Sequence, residues 1–481
     1  MVRRILKAAA IIVLSLVIIG LGLYLLGLRI VLDGGGSPHL RFVESAGARA
    51  AAVARHRESQ RAEPGAPAPV AAPSPGVVAP AAPAAAPAET AAAAPYWTDF
   101  RGPGRDGHYR ERPIRTAWPA QGLTPVWKQP VGGGYASFVV AGGRAFTIEQ
   151  RRDQEVVAAY DVPTGREVWT NQWPAAFSEL MGGDGPRATP TWSDGRVYAL
   201  GALGELRCLD EATGRTQWRI NILEDNGATN VQWGMSASPL IVDDTVVVLP
   251  GGPNGRSVVA YDRRTGARVW SAVDDRQAYS SPMLVTLGGV RQILVLSASR
   301  LMGLTPENGR VLWEHPWVTQ FDVNAAQPLV VGPDRVFISS GYGVGAAVLE
   351  LARGGDAFTV REVWRNIRMK NQFTSSVLHE GFVYGLDEAI LACVDVATGD
   401  LKWKGGRYGY GQVMLASGHL IVLTEDGDMA LVRATPERHE ELVRFTVLDG
   451  KTWNHPAMSG GYLLVRNLKD MAAFDLRRPS P

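Results

Sequence analysis

One phrase recurs along the chain and constrains the fold more than any other feature. It consists of an apolar residue, Asp, two variable residues, Thr-Gly, three further residues and Trp. Clean copies begin at Tyr160, Leu209, Tyr261 and Val394, and a degraded copy begins at Leu304. The Asp side chain can cap a turn of this kind, and Gly accepts the positive φ that the turn needs. The phrase therefore predicts a β-hairpin whose returning strand buries a large aromatic ring.

The aromatic residues that end these phrases give the period of the repeat. Consecutive members lie 39 to 52 residues apart, and Phe445 takes the position after the last Trp. The structural Trp residues of the series are Trp127, Trp169, Trp218, Trp270, Trp313, Trp364 and Trp403. A period of this length with four short strands per unit is typical of a β-propeller blade.

A second phrase, consisting of a strand, a two-residue turn and a strand, precedes each hairpin and gives the number of blades. Copies begin near Ser137, Thr189, Ser238, Ser281, Gln327, Ser376, Gln412 and His455. Eight copies predict an all-β, eight-bladed propeller. The last copy ends at Leu476 without an outer strand of its own, whereas Thr124–Trp127 is an outer strand with no blade before it. We expect the two to pair and to close the ring, which removes exposed strand edges.

Charge and cysteine content exclude some classes of protein. The 49 basic residues are balanced by 47 acidic ones, so bulk charge gives no reason to expect nucleic-acid binding. The two cysteines, Cys208 and Cys393, do not imply a disulfide framework. They occupy equivalent positions in the second and sixth blades, which lie on opposite sides of an eight-bladed ring. We therefore expect two buried, unpaired thiols.

The N-terminal 95 residues differ in composition from the repeats. An uncharged run from Ala8 to Leu28 follows Arg3, Arg4 and Lys7. As a helix it would be ~32 Å long, enough for a bilayer core of about 30 Å. We expect an uncleaved membrane anchor, residues 1–32, with a cytoplasmic N-terminus; a cleaved signal peptide is the alternative.

Two further segments are expected before the propeller. Residues 33–61 are predicted to form a juxtamembrane helix that begins at Ser37-Pro38, with its arginines either solvated or near lipid headgroups. The Ala- and Pro-rich residues 62–95 are predicted to be a disordered, extended spacer that holds the propeller away from the membrane. The propeller is predicted to span residues 96–481 and to begin with a strap, residues 96–107, packed over one of its faces.

Chemistry-bearing motifs are scarce in the sequence. The eight histidines show no metal-ligand spacing, and neither a nucleophile elbow nor a phosphate loop is present. One set of residues does converge in the predicted fold, because the segments that lead into the innermost strands emerge at one mouth of the central channel. This candidate partner or ligand surface is rich in aromatic, amide and basic residues. Its members are Tyr135, Arg187, Trp233, Gln277, Tyr279, Asn324, Lys370, Asn371, Gln372, Arg407, Tyr408, Tyr410, Lys451, Trp453 and Asn454.

The two phrases together resemble the repeat named after enzymes that use pyrroloquinoline quinone (PQQ), and the resemblance runs from about Pro95 to Leu476. Within that superfamily, the chain is most similar to the BamB-like propellers, which are tethered to a membrane and are not enzymes. It departs from them in having no cysteine near the N-terminus for lipid attachment. It departs from the quinoprotein dehydrogenases in having no adjacent cysteine pair and no long insertions around a calcium site.

The resemblance and the residues lead to two functional hypotheses. The first is a non-catalytic interaction scaffold, anchored by residues 8–28 in the inner membrane with a monomeric periplasmic propeller that binds an envelope protein partner in protein assembly. It requires no cofactor. The second is a PQQ-dependent oxidoreductase of reduced form, which would need the quinone together with calcium.

Overall fold

The computed structural model describes residues 2–62, 96–355 and 357–478. Four elements precede the repeats. They are helix α1 (Val2–Leu25), strands β1 (Leu28–Leu32) and β2 (Pro38–Phe42), and helix α2 (Ala46–Ala62). β1 and β2 pair as an antiparallel hairpin. The predicted helix start at Ser37-Pro38 is therefore wrong, because alternating apolar residues on both sides of the Asp33–Gly36 turn favour strands.

The described residues form eight antiparallel sheets of propeller type, which confirms the predicted fold. Two strands precede the first complete blade: β3 (His108–Tyr109) and β4 (Trp127–Pro130). Blades 1 and 2 with the short strands between them are β5 (Val139–Ala141), β6 (Arg144–Arg151), β7 (Gln154–Asp161), β8 (Glu167–Pro174), β9 (Ser178–Glu179), β10 (Gly183–Asp184), β11 (Thr191–Ser193), β12 (Arg196–Leu200), β13 (Glu205–Asp210) and β14 (Thr216–Asn221).

Helix α3 (Ile222–Asn226) follows blade 2, and a 3₁₀ turn (Gln320–Asp322) follows blade 4. Blades 3 and 4 are β15 (Leu240–Val242), β16 (Thr245–Val248), β17 (Val258–Asp262), β18 (Arg268–Ala272), β19 (Met283–Leu287), β20 (Val290–Leu296), β21 (Arg300–Leu304) and β22 (Val311–Pro316). Blades 5 and 6 are β23 (Leu329–Gly332), β24 (Arg335–Ser340), β25 (Gly345–Gly354), β26 (Ala357–Asn366), β27 (Val377–His379), β28 (Phe382–Asp387), β29 (Ile390–Asp395) and β30 (Leu401–Arg407).

The last two blades complete the ring. They contain β31 (Gln412–Ala416), β32 (His419–Leu423), β33 (Asp428–Arg433), β34 (Glu441–Thr446), β35 (Ala457–Ser459), β36 (Tyr462–Arg466) and β37 (Asp470–Asp475). β3 adds a parallel strand to the inner edge of blade 7. β4 pairs with β37, so the N-terminal strand supplies the outer edge of blade 8 and confirms the predicted closure.

The repeated phrase joins neighbouring blades as well as turning the chain. Within the turn, the Asp161 carboxylate accepts hydrogen bonds from both the amide and the hydroxyl of Thr164. The Trp on the returning strand then reaches the next blade. The indole N–H of Trp169 donates to the Glu211 carbonyl at 2.8 Å, and its ring lies against Gly214 of that turn. The turn of blade 2 is thus held by the Trp of blade 1.

The same contact recurs around most of the ring. Indole-to-carbonyl bonds of 2.7 to 3.2 Å are Trp127 to Val162, Trp218 to Arg263, Trp270 to Pro306, Trp364 to Val396 and Trp403 to Thr435. Because Trp127 belongs to blade 8 and Val162 to blade 1, this contact also spans the closure. Trp313 is different: its indole N–H bonds Gln292 of its own blade, since the next blade has a longer hairpin in place of the Thr-Gly turn.

The strap enters the channel rather than only covering a face. Arg105 is buried, and its guanidinium donates to the Pro282 carbonyl at 2.9 Å and pairs with Asp99 at 3.0 Å. Arg101 is also buried and donates to the Ser376 carbonyl at 2.7 Å. Burial lowers the pKa of Arg101 to about 10. The two side chains bridge innermost strands of different blades, so the strap closes the channel from inside. Arg101 bonds backbone carbonyls, whereas Arg105 also pairs with a carboxylate.

The N-terminal segment is docked on the propeller through several of its arginines, although Arg55 and Arg61 remain exposed. Arg57 of α2 is 3% exposed and donates to Gln129 at 2.8 Å and to the Pro130 carbonyl at 3.0 Å. Its Nε lies 3.3 Å from a Glu167 carboxylate oxygen. Further ion pairs to the propeller are Arg41 with Asp426, Arg49 with Asp184 and Arg61 with Glu167. Charge pairing across large sequence separations explains why the sequence pattern did not reveal this docking.

The remaining N-terminal expectations have different outcomes. The predicted spacer lies outside the described residues, apart from Ala62 at the end of α2. α1 ends at Leu25, and Leu28 already belongs to β1. Within the residues that the structure describes, no helix combines the length and apolarity needed to cross a membrane. The membrane anchor therefore stays a prediction.

Cys208 and Cys393 are both buried and free, as expected.

The contact between Trp169 and Gly214 can be tested with a matched pair of substitutions. Gly214 has φ +70°, and a Cβ there would lie 2.4 Å from the Trp169 ring; Gly195 has φ +73° with open space around it. Gly195→Ala should cost only the left-handed backbone penalty of roughly 1–2 kcal/mol. Gly214→Ala should cost a further ~1–3 kcal/mol through overpacking. Urea unfolding monitored by circular dichroism measures both. Equal losses would show that the contact between blades contributes nothing.

Candidate functional site: the channel mouth

The mouth is the end of the channel where the innermost strands begin. It is built from the loops that connect the outer strand of one blade with the inner strand of the next. These loops hold a cavity of about 200 Å³, closed below by Phe100 of the strap and by His455. Its aromatic wall consists of Tyr135, Trp233, Tyr279, Tyr342, Phe373 and Trp453. We call this cavity the mouth pocket.

The rings of the mouth pocket support one another. Tyr135 stacks on Trp453 at 5.2 Å between centroids, and Phe373 lies 4.4 Å from Trp453. Across the pocket, Trp233 and Tyr279 pack at 5.6 Å. Aromatic side chains lose little conformational entropy on binding and bury large areas. The wall is therefore a preformed apolar surface with few charges facing it.

The histidine at the floor of the pocket is uncharged at neutral pH. His455 is buried, and both burial and the adjacent Arg101 guanidinium lower its pKa to about 3. Its ring nitrogens lie within hydrogen-bond distance of the Pro456 and Val413 carbonyls. The imidazole is therefore a neutral structural group rather than an acid or base available to a substrate.

One carboxylate organises the rim. Glu425 is buried and accepts hydrogen bonds from the Trp453 indole at 2.9 Å, from the Tyr410 amide at 3.1 Å and from the Gly34 amide at 2.8 Å. Gly34 lies in the β1–β2 turn, and a Cβ there would meet the Tyr410 ring at 2.3 Å. The N-terminal hairpin thus reaches the pocket, and Asp33 and Gly34 line it.

A second cleft of about 420 Å³ lies beside the N-terminal hairpin and is lined by other residues of the predicted contact surface. Arg407, Tyr408, Tyr410 and Lys451 line it, together with Asp33 and Arg41. The Lys451 ammonium donates to the Met181 carbonyl and lies 4.2 Å from the Trp453 ring centroid. Burial lowers the pKa of Lys451 to about 8. This cleft is polar, whereas the mouth pocket is aromatic.

Several predicted contact residues are instead internal supports of the mouth loops. The Asn324 amide donates to the Ser297 carbonyl at 2.9 Å, Asn371 donates to Leu386 at 2.9 Å, and Asn454 donates to Gly134 at 3.0 Å. All three are buried. Each side chain satisfies a buried backbone carbonyl in or next to the mouth loops. In this structure the three side chains support the mouth loops from inside, and the contact surface to which they were assigned stays a prediction.

The other predicted residues also fall into distinct environments. Gln277 is buried and donates to the Thr229 carbonyl, and Lys370 pairs with Asp387 at 2.8 Å. Gln372 is half-buried beside Gly341. Arg187 lines the pocket, but its guanidinium braces its own loop through the Gly183 carbonyl at 3.0 Å and lies over the Phe177 ring.

The sequence alone did not identify several residues of the mouth. Phe373 lies in a segment already predicted to reach the mouth, so its position was an available signal. Tyr342 lies in the turn between β24 and β25, which was not among those segments. Phe100 was assigned to a strap over one face of the propeller. Glu425 follows strand β32, and no sequence motif marks it. The alternation Leu28-Arg29-Ile30-Val31-Leu32 was the available signal for the hairpin.

The mouth does not present a metal-binding group in the part of the chain that the structure describes. No three His, Cys, Asp or Glu side chains converge there in a geometry able to hold an ion. Catalysis by a quinone cofactor usually needs a cation to polarise its carbonyls. The residues of the mouth pocket do not fit a quinone–calcium pair, and we derive no reaction through one.

Comparison with known proteins places the fold in context. Residues 152–405, more than half of the chain, match the family model described as outer membrane protein assembly factor BamB. The chain belongs to the BamB family. The BamB of Burkholderia pseudomallei is 24% identical over 375 residues, covering 67% of this chain and 91% of that protein. The BamB of Bordetella pertussis is 22% identical over 312 residues, covering 62% and 72%.

Solved structures agree on the architecture. The crystal structure of BamB from Moraxella catarrhalis superposes with a TM-score of 0.53 at 16% identity, covering 75% of this chain and 99% of that one. A quinohemoprotein alcohol dehydrogenase from Pseudomonas putida gives a TM-score of 0.57 at 12% identity, with coverage of 80% and 82%. At these identities the likeness shows a shared propeller fold. It does not distinguish BamB-like proteins from enzymes, so the family membership rests on the sequence match.

A buried carboxyl beneath the mouth loops predicts a pH dependence of stability. Glu155 accepts a hydrogen bond from the Ala202 amide at 2.7 Å, and burial raises its pKa to about 7. A carboxyl whose folded pKa is raised stabilises the folded state fully below its unfolded pKa, near 4.3. That contribution is lost as pH rises through about 7, and it is on the order of 3 kcal/mol.

Glu155→Gln should remove this part of the pH dependence. Urea unfolding between pH 5 and pH 8 measures it, with the exposed Glu437→Gln as a control. The variant should lose less stability than the wild type toward pH 8, whereas the control should follow the wild type. Parallel curves for Glu155→Gln and the wild type would contradict the assignment.

Proposed function

We propose that this protein is a non-catalytic interaction scaffold of the cell envelope. In this proposal α1 tethers it to the inner membrane, and the periplasmic propeller presents its channel mouth to a protein partner in outer-membrane protein assembly. Family membership supports the scaffold role, since the matching model and relatives are named as assembly factors. The tether is supported by the positive charges that precede the apolar run in α1.

The observation that carries the proposal is the aromatic mouth pocket. Its volume of about 200 Å³ lies below the ~300–1,000 Å³ of typical small-molecule and cofactor sites. It can receive a large apolar side chain, which is the kind of anchor that dominates protein–protein binding energy. The buried asparagines and Glu425 hold the surrounding loops in place, so the partner meets a rigid surface.

The chemistry of the pocket indicates the kind of partner segment. An extended chain with alternating apolar and polar residues could place one apolar or aromatic side chain in the pocket while its polar neighbours meet the Lys451 and Arg407 cleft. Unfolded segments of outer-membrane β-barrels have this alternation and are rich in aromatic residues. We propose such a segment, or an assembly protein that presents one, as the partner.

Photocrosslinking in cells tests this proposal. A photoreactive residue replaces Tyr342 at the pocket rim, and a control replaces Arg264 in a turn at the opposite end of the channel. We expect the rim position to crosslink to an outer-membrane barrel protein or its assembly machinery. Trp233→Ala should weaken this capture about 30-fold, as for a hot-spot residue worth roughly 2 kcal/mol.

Two results would contradict the scaffold proposal. Equal crosslinking from the rim and the control position would show that the mouth has no specific partner. Saturable binding of PQQ with calcium, accompanied by alcohol-dependent dye reduction that Trp233→Ala abolishes, would favour the oxidoreductase. Equilibrium dialysis with PQQ and calcium and a dye assay on the purified full chain provide these measurements.

A further inference from the structure

The outward face of the β1–β2 hairpin is unusually apolar for an exposed surface. The register pairs Leu28 with Phe42 and Ile30 with Leu40, so these side chains share one face of the hairpin. Ile30 is 67% exposed, and Leu40 and Phe42 are each 69% exposed. The other face carries Arg41, which pairs with Asp426 of the propeller. The hairpin is therefore amphipathic: its polar face holds the propeller and its apolar face is uncovered.

The apolar face continues into neighbouring exposed apolar surface. α1 ends at Leu25 and β1 begins at Leu28, so no more than about 11 Å of chain separates them. The described side chains of α1 that are large and apolar are mostly exposed, including Val17, Ile18 and Leu25. On the propeller side, Leu180 is 86% exposed and lines a cleft together with Ile30 and Phe42.

The exposed apolar side chains are distributed unevenly over the two ends of the propeller. Val318, Phe321 and Ile367 are exposed on loops of the mouth, as Leu180 is. In the residues that the structure describes, the exposed large apolar side chains toward the opposite end of the channel, such as Val126 and Val311, lie on or beside outer strands and are less exposed than Leu180. Soluble proteins rarely expose contiguous apolar surface without a partner for it.

We infer that the apolar face of the β1–β2 hairpin lies in the interfacial region of a lipid bilayer, so that the channel mouth faces the membrane. The inference rests on the tether proposed above and adds an orientation to it. A lipid surface is favoured over a protein partner because the hairpin follows the exposed apolar side chains of α1 within three residues. Contacts of the Gly34 turn and Arg41 with the propeller then fix the mouth at the bilayer surface.

This orientation has a consequence for the scaffold. A flexible linker alone would leave the propeller free to rotate, whereas the docked hairpin and α2 hold it close to the end of α1. The mouth pocket would then receive partner segments at the membrane surface rather than from the bulk periplasm. The predicted spacer, residues 62–95, would connect α2 with the strap instead of setting the distance to the membrane.

Site-specific fluorescence in vesicles tests the inference on the full chain. Leu40→Cys and His39→Cys place a label on opposite faces of the same strand, and Val269→Cys on the outer strand of blade 3 is a remote control. The native Cys208 and Cys393 are buried and do not compete for the label. The vesicles contain phosphatidylethanolamine and phosphatidylglycerol, with or without a spin-labelled phosphatidylcholine as quencher. We expect the label at Leu40 to lose most of its fluorescence to the quencher, and those at His39 and Val269 to lose little.

A second set of variants separates orientation from anchoring. A label at Leu180→Cys should also be quenched, and this quenching should disappear when Ile30, Leu40 and Phe42 are all replaced by Ser. The triple variant should still float with the vesicles, because α1 is unchanged.

Three outcomes would overturn the inference. A water-exposed Leu40 label on chains that float with the vesicles would leave the tether intact and reject the orientation. A Leu40 label that is shielded from water but not quenched by lipid would mean that a protein, such as a second copy of the chain, covers the face. Failure of the full chain to float would reject the proposed tether, and this inference with it.

Discussion

The structure depends on a contact that six of the eight blades make with the next one. A Trp on an outer strand donates its indole N–H to a carbonyl in the neighbouring turn and covers the glycine of that turn, as Trp169 does with Gly214. The glycine meets two requirements at once, since the turn needs a positive φ and the ring leaves no room for a Cβ. Because the last of these contacts, from Trp127 to Val162, spans the closure, the blades form one ring. A ring held in this way can carry long mouth loops without distortion.

The sequence predicted what is periodic. The number of blades, the Trp series, the closure by β4 and the isolation of Cys208 from Cys393 all follow from repeated patterns. Patterns also located the mouth loops, because their place in the topology is fixed. The patterns could not predict which residues of those loops line the mouth pocket and which are buried beneath it. Asn324 and Trp233 lie in equivalent kinds of loop, but Asn324 is buried among carbonyls and Trp233 lines the mouth pocket.

Contacts distant in sequence account for the other differences from expectation. The N-terminal hairpin docks through Gly34 with Glu425 and through Arg41 with Asp426, pairs that lie almost 400 residues apart. Neither end of such a pair carries a motif. The same holds for Arg101 and Arg105, which bond carbonyls at the start of the innermost strands of distant blades. The channel is therefore closed at its floor by the strap, and the N-terminal hairpin is part of the rim of the mouth pocket.

Contacts between blades make one cooperative ring, which keeps the mouth rigid. Hydrogen exchange of the Trp indole N–H groups, followed by NMR on the full chain in detergent micelles, measures this directly. We predict that the indoles of Trp127, Trp169, Trp218, Trp270, Trp364 and Trp403 exchange slowly, all with the free energy of global unfolding. Fast exchange at Trp127 with protection elsewhere, or a different opening free energy for each blade, would show that the blades do not unfold as one cooperative ring.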